Sequence, residues 1–309
     1  MALKPHYDII IPGTYFCDVI FTGLPAFPSL GAEVIGKDLN IIPGGTLNHI
    51  IALKRLGVNV GWIGVLGSDF FSKFVWDALE TEGIDTSLVT HLDSPFRQIT
   101  VSLSFPHERA FITYADPVPD QMESLMRGLE GITYRHLHFP SLFIDEAVIP
   151  VIQQCHEQGI QVSMDCQFQK ITLDSPLVRD ILAQVDIFMP NAGEAQKLTQ
   201  TASLSEAVSV LSEIVPYLVV KDGVEGALAR RDGVDYHEPA LNVTAVDTTG
   251  AGDIFNSGFL AAHIKSLDTP TCLRWGNFCA GCSTMGAGPA AAPTREQLET
   301  WLEGQATTG

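Results

Sequence analysis

The chain has 309 residues, of which 46% are hydrophobic and 17% charged. That is apolar enough to bury one large core, which excludes wholesale disorder. Acidic residues outnumber basic ones 36 to 18, for a formal charge of -18; the resulting field repels phosphate backbones and anionic membranes, so neither a nucleic-acid nor a membrane partner is expected.

Taken in chain order, residues 7–12 (YDIIIP) read as a buried strand. Residues 32–42 alternate polar and apolar side chains with no helix nearby, and so read as lid strand. A helix is predicted over 47–56, closed by Gly57. A strand over 60–66 and a helix over 70–82 follow. Residues 97–114 alternate again and belong to the same lid, with His107 and Glu108 at its turn. Short apolar runs at 134–139, 161–165, 186–190 and 217–221 read as buried strands. Helices are predicted between and beside them over 145–158, 176–184, 192–199 and 204–214. Residues 243–246 look strand-like, and the chain from Gly250 onward is mostly helical. The alternation predicts an α/β fold: a mostly parallel central sheet, helices on both faces, and a small antiparallel β lid. No linker separates the lid, so residues 1–309 are read as a single domain.

No stretch approaches the ~20 apolar residues that cross a bilayer. Residues 1–8 lack a basic run followed by an apolar one. Six cysteines scattered through the chain are not a disulfide framework. A reduced, cytoplasmic setting is the expectation.

The segment Asp247-Thr248-Thr249-Gly250-Ala251-Gly252-Asp253 carries the chemistry. Gly250 and Gly252 let the backbone approach a ligand closely, and free amides at the start of the following helix can bind an anion without net positive charge. Asp253, in the first helical turn, can take a proton from a hydroxyl while the amides hold the group under attack, as phosphoryl transfer to an alcohol requires. The plainer alternative is a tight turn followed by an acid that favours the helix dipole. A Walker A loop is missing, as is the third glycine of a dinucleotide fingerprint, which counts against a dehydrogenase.

With Phe255-Asn256-Ser257-Gly258-Phe259 after it, this segment resembles the C-terminal signature of the ribokinase (PfkB-type) carbohydrate kinase family. Pro43-Gly44-Gly45-Thr46-Leu47-Asn48, with Arg55-Leu56-Gly57 beyond, is similar to the family's N-terminal signature. The Asn191-x-x-Glu194 and Lys221-Asp222-Gly223-x-x-Gly226 elements follow in the family's order, and the resemblance spans roughly residues 6 to 303.

The resemblance implies a ribokinase-like fold and ATP-dependent phosphorylation of a sugar-like alcohol with Mg²⁺. It implies that Asp253 is the base and that Gly250, Ala251 and Gly252 form the anion hole. Asp18, Gly44, Gly45 and Asn48 would bind the sugar. Asn191 and Glu194 would organise Mg²⁺ through water, while Lys221, Gly223, Gly226 and Asn277 would line the nucleotide site. Asp247 and Thr249 match positions that hold a monovalent cation such as K⁺ in many members. Departures are Pro43 for the usual first glycine, Leu47 adding bulk where sugars sit, Lys221 where many members have Thr, and the tail at 285–292.

Two further readings stay open on the same scaffold: a nucleoside kinase, suggested by Leu47, Phe16, Phe105 and Phe111, and a non-catalytic sugar- or nucleotide-binding protein. Exposed lid edges predict a homodimer. Cys279-x-x-Cys282 lies in an apolar helical stretch and reads as core. His136-x-His138 has the spacing of a metal pair on a strand, and more simply of packing. Asp165 reads equally as a site residue at a strand end or as a turn residue. Arg109 reads as a solvated lid charge, with reach toward substrate as the alternative.

Overall fold

Alternate residues of the first strand bury on opposite faces: Ile9 and Ile11 join one apolar core and Ile10 the other. A strand covered on both sides demands helices above and below it. The computed structural model describes residues 6–105, 109–167, 170–286 and 288–306; the expected lid turn at His107 and Glu108 lies outside the described residues.

The elements run β1 (His6–Pro12), β2 (Tyr15–Thr22), β3 (Asp38–Gly45), α1 (Thr46–Arg55), β4 (Val60–Ile63), β5 (Val65–Leu66), α2 (Phe70–Thr81) and β6 (Thr90–His91). Next come β7 (Gln98–Ser104), β8 (Arg109–Ala115), α3 (Gln121–Leu129), β9 (Thr133–Phe139), α4 (Val148–Glu157), β10 (Gln161–Met164), α5 (Pro176–Leu182) and β11 (Ile187–Phe188). The chain closes with α6 (Ala192–Thr199), α7 (Leu204–Ser212), β12 (Tyr217–Lys221), β13 (Ala227–Arg231), β14 (Val234–Glu238), α8 (Ala251–His263), α9 (Thr269–Thr284) and α10 (Arg295–Ala306).

Among the described residues the main sheet has eight strands in the order β14-β13-β12-β11-β10-β9-β1-β4. The strands from β12 to β4 pair in parallel, and β13 and β14 add an antiparallel edge. From β1 the chain passes first to β4 on one side and later to β9 on the other. The crevice beyond the carboxyl ends of β1 and β9 is therefore the switch point, where open α/β sheets bind ligands. Local signals end the helices as expected: Gly57 closes α1 at φ 78. Reciprocal capping boxes start α6 (Asn191 with Glu194) and α7 (Ser203 with Glu206).

The lid is a four-stranded sheet, β3-β2-β7-β8. It differs from the expected segments in two ways. β2 belongs to it, whereas residues 32–37 are not strand. The outer pairs are antiparallel, but β2 and β7 run parallel. Residues 243–246 form no strand; Val246 is 77% exposed on a loop. Cys279 and Cys282 sit in α9, with Cys279 fully buried in the core. No helix among the described residues is long and apolar enough to cross a membrane.

Candidate active site

The loop from Val246 to Gly250 is pinned at its start, where the amides of Val246 and Asp247 both donate to the carbonyl of Thr284, at 2.7 and 3.1 Å. Gly250 then caps α8 in the left-handed region, at φ 73. A Cβ there would stand 2.7 Å from the Asn48 amide nitrogen, so glycine is required for space as well as for φ. The first amides of α8 have no carbonyl within the helix to bond. The Ala251 amide is partly engaged, by the Thr248 carbonyl at 3.3 Å.

Asp253 points out of this first turn with its side chain 18% exposed. Asn48 Nδ2 donates to its Oδ2 at 2.8 Å, which joins the two expected site residues across 205 positions. Burial pushes the Asp253 carboxyl above its ordinary range, while the Asn48 hydrogen bond and the Lys221 charge pull it back. His49 lies 3.9 Å from the other oxygen. Burial drops its pKa to about 4, so the imidazole is neutral near pH 7 and this is no ion pair.

Lys221 is oriented by Asp165, which the sequence left open between a site residue and a turn residue. Its Nζ donates to both oxygens of Asp165, at 2.9 and 2.8 Å. Asn256 Nδ2 donates to Asp165 as well, at 2.6 Å. Lys221 Nζ stands 3.6 Å from where a Gly252 side chain would begin, which sets a fixed ammonium beside the first turn of α8. His49, Asp165 and Asp253 offer oxygen and nitrogen atoms all within 4.8 Å of one another, as a metal site would. Lys221 already supplies a cation to that group. His136 and His138, both buried on β9, bond Ser163 Oγ at 2.7 Å each rather than being paired for a metal.

On the other side Asp18, in β2, is nearly buried. Burial lifts its pKa to about 7, with repulsion from Asp253 and Asp247 adding to the shift. Its Oδ2 would be 2.0 Å from a Cβ on Gly44, so Gly44 makes room for this carboxylate. Gly45, at φ 61, turns the chain into α1. Leu47 corrects an expectation: it is fully buried in the core and fills no sugar pocket.

Two cavities flank the site. One of about 400 Å³ lies at the switch point under the lid; Gly13 and Pro140 floor it, and Phe16, Ile63, Val118, Leu125, Phe139 and Phe143 line it, together with Gln98, Gln121 and Gln167. Of the aromatic residues expected there, Phe16 is present; Phe105 packs on Phe27 instead, and Phe111 is exposed on the lid. The second, about 260 Å³, lies beside α8 and is walled by Lys221, Gly223, Gly226, Ala251, Gly252 and Asn277. Asn277 spends its amide donors on the carbonyls of Glu238 and Pro239, at 2.8 and 3.0 Å. Gly226, at φ 100, packs its Cα onto the Glu238 carbonyl. Glu194 uses one oxygen on the Asn191 amide at 2.8 Å, and burial raises its pKa, with repulsion from Asp165 adding to the shift.

The cation expected on Asp247 and Thr249 is only partly compatible with these side chains. Asp247 Oδ2 is buried without a hydrogen-bond partner, which suits a cation. The Thr249 hydroxyl, by contrast, is committed: it donates to Asp247 Oδ1 at 2.7 Å and accepts from Arg109. Arg109 is thus no solvated lid charge; it is bonded to the loop that precedes α8.

A switch-point crevice, a glycine-led helix start and a carboxylate in its first turn define a scaffold suited to phosphoryl transfer. A model of the pfkB family of carbohydrate kinases matches residues 31–295, and the chain belongs to that family. It is similar to a ribokinase of Haemophilus influenzae, 26% identical over 91% of this chain and 94% of that one. Among solved structures it superimposes on the ribokinase of Arabidopsis thaliana complexed with ribose and ATP (TM-score 0.79, 22% identity, 96% and 98% covered). It also superimposes on a nucleoside kinase of Methanocaldococcus jannaschii (TM-score 0.78, 19% identity, 97% and 99% covered).

Proposed function

We propose that this carbohydrate kinase uses ATP to phosphorylate a hydroxyl of a sugar or sugar-like substrate, with Asp253 as the general base. The observation that carries this is the first turn of α8, where a carboxylate of raised pKa, held by Asn48, lies beside the Ala251 and Gly252 backbone that walls the smaller cavity. Bound at the smaller cavity, ATP supplies the transferable phosphoryl group. The amides of Gly250, Ala251 and Gly252 and the Lys221 ammonium would stabilise its charge. Asn191 and Glu194 would hold Mg²⁺ through water. Asp18 and Asn48 would orient the acceptor, and Asp253 would take its proton as the oxygen attacks. Lid closure would exclude water and limit hydrolysis.

The larger cavity favours a second reading. Its six apolar walls and about 400 Å³ exceed the needs of a bare pentose rich in hydroxyls and suit a sugar bearing a planar base. A coupled ADP-release assay over pentoses, hexoses and nucleosides tests both readings. Turnover confined to free sugars would remove the nucleoside reading; no turnover with any member, despite ligand binding, would remove the kinase assignment.

Pairing of two copies is proposed through the lid, whose outer face exposes Leu39, Ile41, Ile112 and Tyr114. Light scattering should then give twice the mass of one chain, and a single-chain mass would remove the idea.

A further inference from the structure

Arg109 opens β8, in the outer strand of the lid, yet its guanidinium leaves the lid altogether. Nη1 donates to Asp247 Oδ1 at 2.9 Å and to Thr249 Oγ1 at 2.5 Å. Nη2 donates to Thr248 Oγ1 at 2.6 Å. All three acceptors precede Gly250, the residue that aims the first amides of α8. The Thr249 amide donates to the same Asp247 oxygen, at 2.9 Å, so the carboxylate ties the turn together and Arg109 ties the carboxylate to the lid.

We propose that Arg109 is a positioning residue: it fastens the closed lid to the 247–249 turn, so that the anion hole is complete only when the lid is down. A planar fork with several donors suits this task, because it can hold three oxygens at once where a lysine holds a point. Its charge also offsets that of Asp247, which would otherwise oppose an incoming triphosphate. Acceptor bound under the lid would favour closure, and closure would set the turn. Transfer is thereby coupled to occupancy of the acceptor site.

The test uses the full chain with Arg109→Ala and Arg109→Lys. The activity arm rests on the kinase reading above; the exchange arm does not. In Arg109→Ala, kcat should fall about 10- to 100-fold, while KM for the acceptor stays within about threefold of wild type. Guanidinium at low millimolar concentration should restore part of the loss, and Arg109→Lys should fall between the two. Amide hydrogen exchange at residues 249–253 should quicken by about tenfold in Arg109→Ala while the central strands are unchanged. Unchanged exchange in that turn, or a loss of activity lying wholly in acceptor KM, would overturn the proposal. A wild type that turns over nothing would remove the kinase reading and leave the exchange result to decide on Arg109.

Discussion

Asp253→Asn should lower turnover by about 10²- to 10⁴-fold, the range that a positioned base contributes, and leave ATP affinity unchanged. The substitution keeps the shape of the side chain and the first turn of α8. It removes the lone group in that turn able to accept a proton from an attacking hydroxyl. Asn48 then faces an amide where it had donated to a carboxylate at 2.8 Å, and the Asp253 side chain is not among those that wall the smaller cavity. Product formation followed by coupled ADP release, with ATP binding measured by calorimetry, separates the two effects. Near-wild-type turnover would remove Asp253 from the base role.

The wild-type pH profile should carry the same chemistry. Asp18 is lifted to about 7, by burial first and then by Asp253 and Asp247, and Asp253 is lifted as well. A carboxyl is ionised above its pKa and protonated below it. In the proposed roles, acceptor binding by Asp18 and proton removal by Asp253 would therefore both be lost as pH falls. kcat/KM should decline as pH drops through about 7, and Asp18→Asn should flatten the part of that limb that belongs to acceptor binding.

Lys221→Met should cost about 3–5 kcal/mol of stability, the penalty for stripping one partner from a buried ion pair. The side chains of Lys221 and Asp165 are 11% and 3% exposed, so little water reaches the pair. What remains on the carboxylate is Asn256 Nδ2 at 2.6 Å and the Cys166 amide at 2.7 Å, which leaves a buried charge without a counter-ion. Adding Asp165→Asn should recover most of the loss, since the charge then goes too. Urea unfolding of the single and double variants measures this. A single variant within about 1 kcal/mol of wild type would show that solvent or a neighbour compensates Asp165. The single variant should also bind ATP more weakly, because the same ammonium stands beside Gly252.

Much of the scaffold was legible where short-range signals are strong. The buried runs of β1 and β12, the capping boxes of α6 and α7 and the left-handed Gly57 each report a local preference that the tertiary structure keeps. The hairpin of β13 and β14 was missed although its signal is present: Asp232 and Gly233 both have positive φ, as a two-residue hairpin turn requires. β2 follows β1 after only Gly13 and Thr14, so no turn signal of any length separates the two strands in the sequence.

Sequence by itself determined the layered α/β architecture, the glycine-led helix start and the presence of Asp253 within it. These depend on hydrophobic period, capping and φ, each set within a few residues of chain. Tertiary structure alone decided that Leu47 goes to the core, that Lys221 is held by Asp165, and that Arg109 crosses from the lid to Asp247. The last two pairs lie 56 and 138 residues apart. No local preference links such positions; strand order and lid placement bring them together, and burial then makes each charge depend on the partner it meets.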